Sequence, residues 1–402
     1  MITIDAFKAL RPEGEWVQEI AALPYDVMTL EEAKKMTEEH PYSFLNVDKP
    51  EIHVSEGGEA PYLYARQKLE EWTQKGLFIE EEACMYIYEL ETLHNHQYGL
   101  ACVIATKDYE QNRIKKHENT RTDKESDRIA HILHCSAHTG PIFLVENEWE
   151  AFGVFLYDYT KNHAPLYDFQ LEDKVRHRLY AIKDQEILGM LKERFKHTEA
   201  LYIADGHHRA AAAAKVGQMV GEHRYEAQHF LSVIFPKEQL RILPYHRIIK
   251  DESGYTKKAL FEKISKYFEI SLVDALVYEP AKPHELGMRY EKKWYKLEFK
   301  SHVLRADQAV STLDVSILQD FILAPIFNII DPRQDVRIDF IPGSQPLEVL
   351  NKRTEEEMDI AFSLYPTSIE SLIAVAKAGE LMPPKSTWFE PKLRSGLLIH
   401  PF

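Results

Sequence analysis

Six consecutive residues, Ala204-Asp205-Gly206-His207-His208-Arg209, set a carboxylate, a glycine, two imidazoles and a guanidinium between the apolar run Leu201-Tyr202-Ile203 and the alanine-rich stretch Ala210 to Ala214. The pattern predicts strand, tight turn, helix. A glycine lets backbone come close to a ligand, and the N–H groups at a helix start, at the positive end of its dipole, attract phosphate. Two histidines and an arginine add cationic or hydrogen-bonding side chains at the same point. A phosphate or acidic-ligand site is the leading reading, with Gly206, His208 and Arg209 as binding residues. A metal site is the other, because Asp205, His207 and His208 are all ligand types. Adjacent helical residues diverge, so at most one of the two histidines can join Asp205 on one ion.

Three further clusters carry polar chemistry. The stretch His117-Glu118-Asn119-Thr120-Arg121-Thr122-Asp123-Lys124-Glu125-Ser126-Asp127-Arg128 has no large apolar side chain. As plain structure it is a solvated helix start, capped by Thr120 or Thr122, with the later charges on an exposed face. As chemistry, a carboxylate beside an imidazole at Glu118 is a workable general base. Position 121 is Arg, so this is no His-Glu-x-x-His zinc motif. Lys385-Ser386-Thr387 can grip a phosphate through charge and hydroxyl hydrogen bonds. Prolines rather than spaced glycines precede it, which excludes a P-loop. Pro244-Tyr245-His246-Arg247 opens a strand and reads first as filling for a sheet edge. Pro24-Tyr25-Asp26-Val27 and Pro41-Tyr42-Ser43-Phe44 read as structural turns.

The elements that must position these groups belong to an α+β chain. Its 402 residues, 45% hydrophobic and 28% charged, suit two or three globular domains. The net charge of −15 argues against a general nucleic-acid surface, which needs Lys and Arg to neutralise phosphates. No apolar run reaches the roughly eighteen residues of a membrane span, and Asp5, Lys8 and Arg11 interrupt any leader core. A cytoplasmic protein without membrane partners is expected. Cys84, Cys102 and Cys135 are widely spaced, without a Cys-x-x-Cys pair, and imply neither a disulfide framework nor a zinc knuckle.

Pattern divides the chain into an N-terminal α+β part (1–106), a central part around the glycine turn (107–250) and a C-terminal α+β part (251–402). Expected strands include 43–47, 85–91, 98–106, 142–145, 152–157, 230–235, 243–249, 294–299 and 360–364. Expected helices span 30–39, 61–75, 184–196, 257–267, 315–327 and 368–378. The tail from Met382 to Lys392, with prolines on both sides of it, reads as a pinned extended segment.

Laid end to end, these pieces resemble a bacterial family of unknown function, DUF1015. The match runs from Pro24-Tyr25-Asp26-Val27 through His117-Glu118-x-Thr120 with Asp127-Arg128, then Asp205 to Arg209, Pro244 to Arg247, and Pro384-Lys385-Ser386-Thr387. The Asp-Gly-His-His-Arg turn is also similar to the signature turn of the ParB/sulfiredoxin superfamily, whose members bind nucleotide phosphates there. Within it the archaeal free-serine kinases that use ADP look most alike. They have a His-Glu pair upstream with the glutamate as catalytic base, and a Pro-Lys-Thr-Thr segment near the C-terminus.

The resemblance implies a ParB/sulfiredoxin-like core with added N- and C-terminal parts, and transfer of a phosphoryl group from ATP or ADP, with Mg2+, to free L-serine. It casts Glu118, Asp205 and His207 as catalytic, with Asp205 also a Mg2+ ligand. Gly206, His208, Arg209, Lys385, Ser386 and Thr387 then hold phosphate, while His117, Thr120, Arg128, His246 and Arg247 line the substrate. Nucleotide and a small amino acid are the implied partners, and a homodimer is the assembly kept open. The chain departs from those kinases in the long separation between His117-Glu118 and the glycine turn, in its first hundred residues, and in lacking an aromatic beside Arg209. The competing reading is a ParB-type nucleotide switch, against which stands the lack of a basic helix-turn-helix. Sulfiredoxin chemistry needs a cysteine where this chain has His207.

Overall fold

The computed structural model describes residues 1–55, 57–304 and 308–402. Contacts divide the chain into two compact units: Met1–Leu240 with Pro391–Phe402, and Arg241–Glu390. Both are mixed α and β, as expected.

The first unit is built on a nine-stranded sheet. Its strands are β1 (Ile4–Asp5), β2 (Met85–Glu91), β3 (His96–Ala105), β4 (Ile114–Lys115), β5 (Ile142–Glu146), β6 (Tyr167–Gln170), β7 (Arg176–Ile182), β8 (Leu201–Asp205) and β9 (His229–Pro236). They lie in the order β4-β8-β5-β9-β3-β2-β7-β6, with β1 added alongside β3. The pairs β8·β4 and β9·β5 are parallel and the others antiparallel. β3, β5 and β9 are buried almost without interruption, which is why they read as apolar runs rather than alternations.

This sheet overrides the expected division at 106/107. β2 and β3 come from the expected N-terminal part yet sit in the middle of the sheet, flanked by β7 and β9 from the expected central part. The first break falls after Leu240, and residues 391–402 return to the first unit. Pairing between sequence-distant strands is invisible to a local pattern.

The helices of this unit include α1 (Leu30–Glu39), α2 (Leu45–Asp48), α3 (Ala60–Gln74), α4 (Thr122–Cys135), α5 (Phe152–Asn162), α6 (Gln185–Lys196) and α7 (His207–Val220). α1 starts on a reciprocal capping box of Thr29 and Glu32, and α6 on the Asp184 carboxylate. Two expected strands are helical instead. Residues 152–157 lie in α5, because Phe152, Leu156 and Tyr159 share one buried face while Val154 and Tyr157 face out. Residues 43–47 form a turn and α2, held by Asn46 Nδ2 donating to the carbonyls of Pro41 (3.1 Å) and Ser43 (2.7 Å).

The alanine run explains the seating of α7. Ala210 to Ala214 are all buried, and Ala212 and Val216 pack against Ile132 of α4. Small side chains allow that close approach. No helix among the described residues is long and apolar enough to cross a membrane.

The second unit holds a six-stranded antiparallel sheet of β10 (Tyr245–Ile249), β11 (Phe268–Val273), β12 (Glu285–Tyr290), β13 (Lys293–Phe299), β14 (Ile338–Pro342) and β15 (Ile360–Leu364), in the order β11-β13-β12-β15-β10-β14. β10 lies between β15 and β14, so Tyr245 to Arg247 fill an inner strand and not the expected edge. The expected helix over 315–327 is divided by a π-helical turn, Gln319–Leu323, just before Pro325. The tail is less extended than expected: Lys385 takes a left-handed φ of 54° before Trp388–Glu390 pairs with Arg241–Leu243.

Candidate functional site

β8 delivers Asp205 to the sheet end, and Gly206 turns the chain with φ 95° and ψ 30° into α7. That left-handed geometry suits glycine. No side chain caps the helix start, so the N–H groups of its first turn have no side-chain oxygen assigned to them. Asp205 Oδ1 accepts the Gly206 N–H at 2.8 Å, and Oδ2 pairs with Lys392 Nζ at 2.7 Å. Burial works to raise the Asp205 carboxyl, but the Lys392 ammonium overcomes it and holds the group well below the usual carboxylate range.

The two histidines diverge, as the helix requires. His207 Nε2 accepts the His117 N–H at 3.4 Å, with the rings edge to face 4.5 Å apart. His208 Nε2 accepts the Arg121 N–H at 3.0 Å. Together they tie residues 117–121 to the first turn of α7, which puts Glu118 at the same place. One ligand atom each of His117, Glu118 and His207 lies within 4.8 Å of the others. Burial lowers all three imidazoles of this set: His117 to about 4, opposed by a hydrogen bond with the Ile203 backbone; His207 well below its ordinary value; and His208 less strongly. His117 and His207 are therefore neutral near pH 7.

Beneath the turn lies a buried charge network. Arg209 Nη1 donates to the Pro141 carbonyl at 3.3 Å, and its Nη2 is enclosed with no hydrogen-bond partner among the described residues. The Tyr25 ring sits 5.4 Å from the Arg209 guanidinium and 4.0 Å from that of Arg128. Arg128 Nη1 donates to the Asp48 carbonyl at 3.2 Å and lies 3.5 Å from Asp48 Oδ1. Asp48 also accepts from Ser395 Oγ (2.9 Å) and Thr139 Oγ1 (3.2 Å). Burial opposes its charge, but Arg209 and Arg128 outweigh burial and keep the carboxyl low. Asp48, Arg128, His131, His138, Thr139 and Arg209 border a small cavity.

Glycine 140 marks how tight this packing is: a Cβ there would sit 3.3 Å from Ser395 Oγ and 3.4 Å from the Arg209 guanidinium carbon. Lys49 Nζ donates to the carbonyls of Tyr25 (2.8 Å) and Met28 (3.0 Å), fixing the loop that presents Tyr25.

The helix start in the 117–128 stretch is solvated as expected, with Arg121 to Lys124 and Ser126 exposed, but the later charges do not all share that face. His117, Glu125 and Arg128 are buried. The cap of α4 is Arg121, with no side-chain cap bond, whereas Thr120 Oγ1 donates to Glu125 Oε2 at 2.8 Å, and Lys215 pairs with the same carboxylate. The remaining named residues belong to the second unit. There Arg247 is buried and donates to the carbonyls of Tyr245, Pro384 (3.1 Å) and Lys385 (2.9 Å). Burial drops its guanidinium to about 9. His246 Nδ1 accepts the Leu364 N–H at 3.2 Å, and burial lowers it to about 4. Ser386 Oγ donates to the Pro383 carbonyl at 2.6 Å, and Lys385 Nζ lies 5.5 Å from the Tyr245 ring centre.

Sequence reasoning did not find Tyr25, Asp48, Lys49 and Ser395, nor the pairing of Lys392 with Asp205. A signal existed for Asp48: an acid directly after Phe44, Leu45 and Val47, three large apolar residues in four positions, is a charge carried into a core. Tyr25 and Asp26 read in sequence as a structural turn and as the first motif of the family resemblance, with no role in the site.

A family model described as "Protein of unknown function (DUF1015)" matches residues 4–316. No curated protein matches the chain. Among solved structures it is similar to a conserved hypothetical protein from Pyrococcus furiosus, at 14% identity and a TM-score of 0.39 over 74% of this chain and 94% of that one. A free serine kinase variant in complex with ADP matches at 12% identity and a TM-score of 0.41, over 74% and 92% of the two chains. Truncated SbnI from Staphylococcus aureus matches at 11% and 0.38, over 75% and 87%.

Proposed function

The chain belongs to the DUF1015 family, and on that premise we propose that it is a small-molecule kinase that moves a phosphoryl group from ATP or ADP to the hydroxyl of free L-serine. The observation that carries this reading is the helix start behind Gly206, without a side-chain cap, with Arg209 Nη2 enclosed and without a hydrogen-bond partner among the described residues, and Glu118 tied beside it. Donors of that kind suit a phosphate, and a carboxylate next to them suits proton removal. The order His117-Glu118, Asp205 to Arg209, Pro384 to Thr387, similar to the free-serine kinases, supports the same reading.

In this mechanism the serine oxygen attacks the terminal phosphorus, the bond from that phosphorus to the nucleotide's leaving oxygen breaks, and Glu118 takes the hydroxyl proton. The products are O-phosphoserine and the shortened nucleotide. Most of the rate comes from positioning and charge neutralisation. The first-turn N–H groups of α7 with Arg209 hold the transferring phosphate, and His207 fixes the segment that carries Glu118. Asp205, clamped by Lys392, shapes the turn. Mg2+ bound to the nucleotide would neutralise charge on its phosphates. Asp205 does not fit it as a ligand, because one oxygen holds Lys392 and the other the Gly206 N–H.

Purified protein incubated with L-serine, Mg2+ and either ATP or ADP should give O-phosphoserine by phosphorus NMR. No serine-dependent product with either donor overturns the proposal. Glu118→Gln should cut turnover by about 100-fold or more while nucleotide still raises the thermal midpoint; loss of that shift would remove Glu118 from the role of base.

A further inference from the structure

His117, Glu118 and His207 come from two segments that are 90 residues apart and meet only in the fold. Their ligand atoms lie within 4.8 Å of one another. Bonds of about 2.1 Å to a tetrahedral ion place ligands roughly 3.4 Å apart, so an ion would draw these atoms together by little more than about 1 Å. The donor set is two imidazole nitrogens and one carboxylate oxygen. That set selects borderline ions such as Zn2+, whereas Mg2+ prefers oxygen ligands.

Three surroundings favour a cation there. The His117 ring bonds the Ile203 backbone, the kind of outer contact that orients a ligating imidazole. The contact of His207 Nε2 with the His117 N–H is long at 3.4 Å, so exchanging it for a metal bond gives up little. The Asp205 carboxylate favours positive charge on both rings, while His117, His208 and Lys116 oppose it at His207.

We propose that His117, Glu118 and His207 form a binding site for a divalent transition-metal ion of the Zn2+ class, with a fourth position open, and that the bound ion occupies the Glu118 carboxylate and so inhibits phosphotransfer. The inhibitory part rests on the kinase reading. The binding part does not.

Chelator-stripped full-length protein is titrated with Co2+ and followed by its visible absorption, then challenged with Zn2+. One Co2+ per chain, displaced by Zn2+, is expected. Glu118→Gln, an isosteric change at a half-buried position, should weaken binding by roughly tenfold or more, with His117→Ala and His207→Ala at least as weak. His94→Ala, at an exposed histidine remote in sequence, should bind as the wild type does. The site is overturned if wild-type protein shows no saturable one-to-one binding, or if Glu118→Gln binds unchanged with an unchanged circular dichroism spectrum. Serine-dependent turnover unaffected by saturating Co2+ overturns the inhibitory role. A silent kinase assay beside an intact Co2+ spectrum counts against phosphotransfer and for the metal site.

Discussion

At the residue scale, Asp48 is a fully buried carboxylate whose charge is kept by two arginines and two hydroxyls. Asp48→Asn removes the anion and leaves Arg128 and Arg209 facing each other across Tyr25. Breaking a buried pair in this way costs about 3–5 kcal/mol, to be read from urea unfolding, whereas a loss below about 1 kcal/mol would mean that the arginines relax into solvent. The buried imidazoles set a pH window. His117 and His131 are lowered to about 4 in the fold, against roughly 6.5 when unfolded. Between those values the unfolded chain binds more protons than the folded one, so stability falls as pH drops from about 6.5 towards 4 and is unaffected by these groups above that range. Urea midpoints measured from pH 8 to pH 4 should show this decline. A midpoint that rises on acidification would contradict it.

The turn at Gly206 ties the element scale to function. An alanine Cβ there would meet Ile142 Cα at 3.5 Å, which is tolerable, but the φ of 95° is not a conformation alanine holds cheaply. Gly206→Ala should cost about 1–2 kcal/mol and, by shifting the first turn of α7, weaken nucleotide binding in calorimetry. Asp184→Ala provides the contrast. It removes the cap of α6, away from the proposed site, and should lower stability by about 1 kcal/mol with kinetics unchanged.

Helices were legible from their apolar spacing: α1, α3 and α6 fall where that spacing placed them, whether capped by a side chain, as α1 and α6 are, or not, as in α3. The Phe152 segment was not legible, because its aromatics suit a strand until packing shows which face is covered.

Across the whole molecule, the chain leaves its first unit after Leu240 and returns at Pro391. The returning segment contributes Lys392 to Asp205, Ser395 to Asp48, and the strand His400–Pro401 paired with Ala137–His138. A chain ending at Glu390 should therefore lose several degrees of thermal midpoint in the first unit and its nucleotide-induced stabilisation; retention of both would show that these contacts are dispensable. The segment Arg241–Glu390 is continuous in sequence and carries a complete antiparallel sheet. Expressed alone, it should unfold cooperatively by circular dichroism.

The sequence by itself determined the α+β class, the strand-glycine-helix turn at Asp205 to Arg209 and the pairing of an acid with an imidazole at 117–118, since each depends on neighbours within a few residues. Tertiary structure alone decided that Tyr25, Asp48, Arg128 and Arg209 form one network, that His207 reaches His117 and that Lys392 neutralises Asp205. It also decided that Arg128, named as a substrate contact, is buried against Asp48. A buried charge is stable only beside its counter-charge, and a buried ring nitrogen needs a hydrogen-bond partner; which partner each meets depends on how helices, loops and the returning tail pack together, a property that local spacing does not encode.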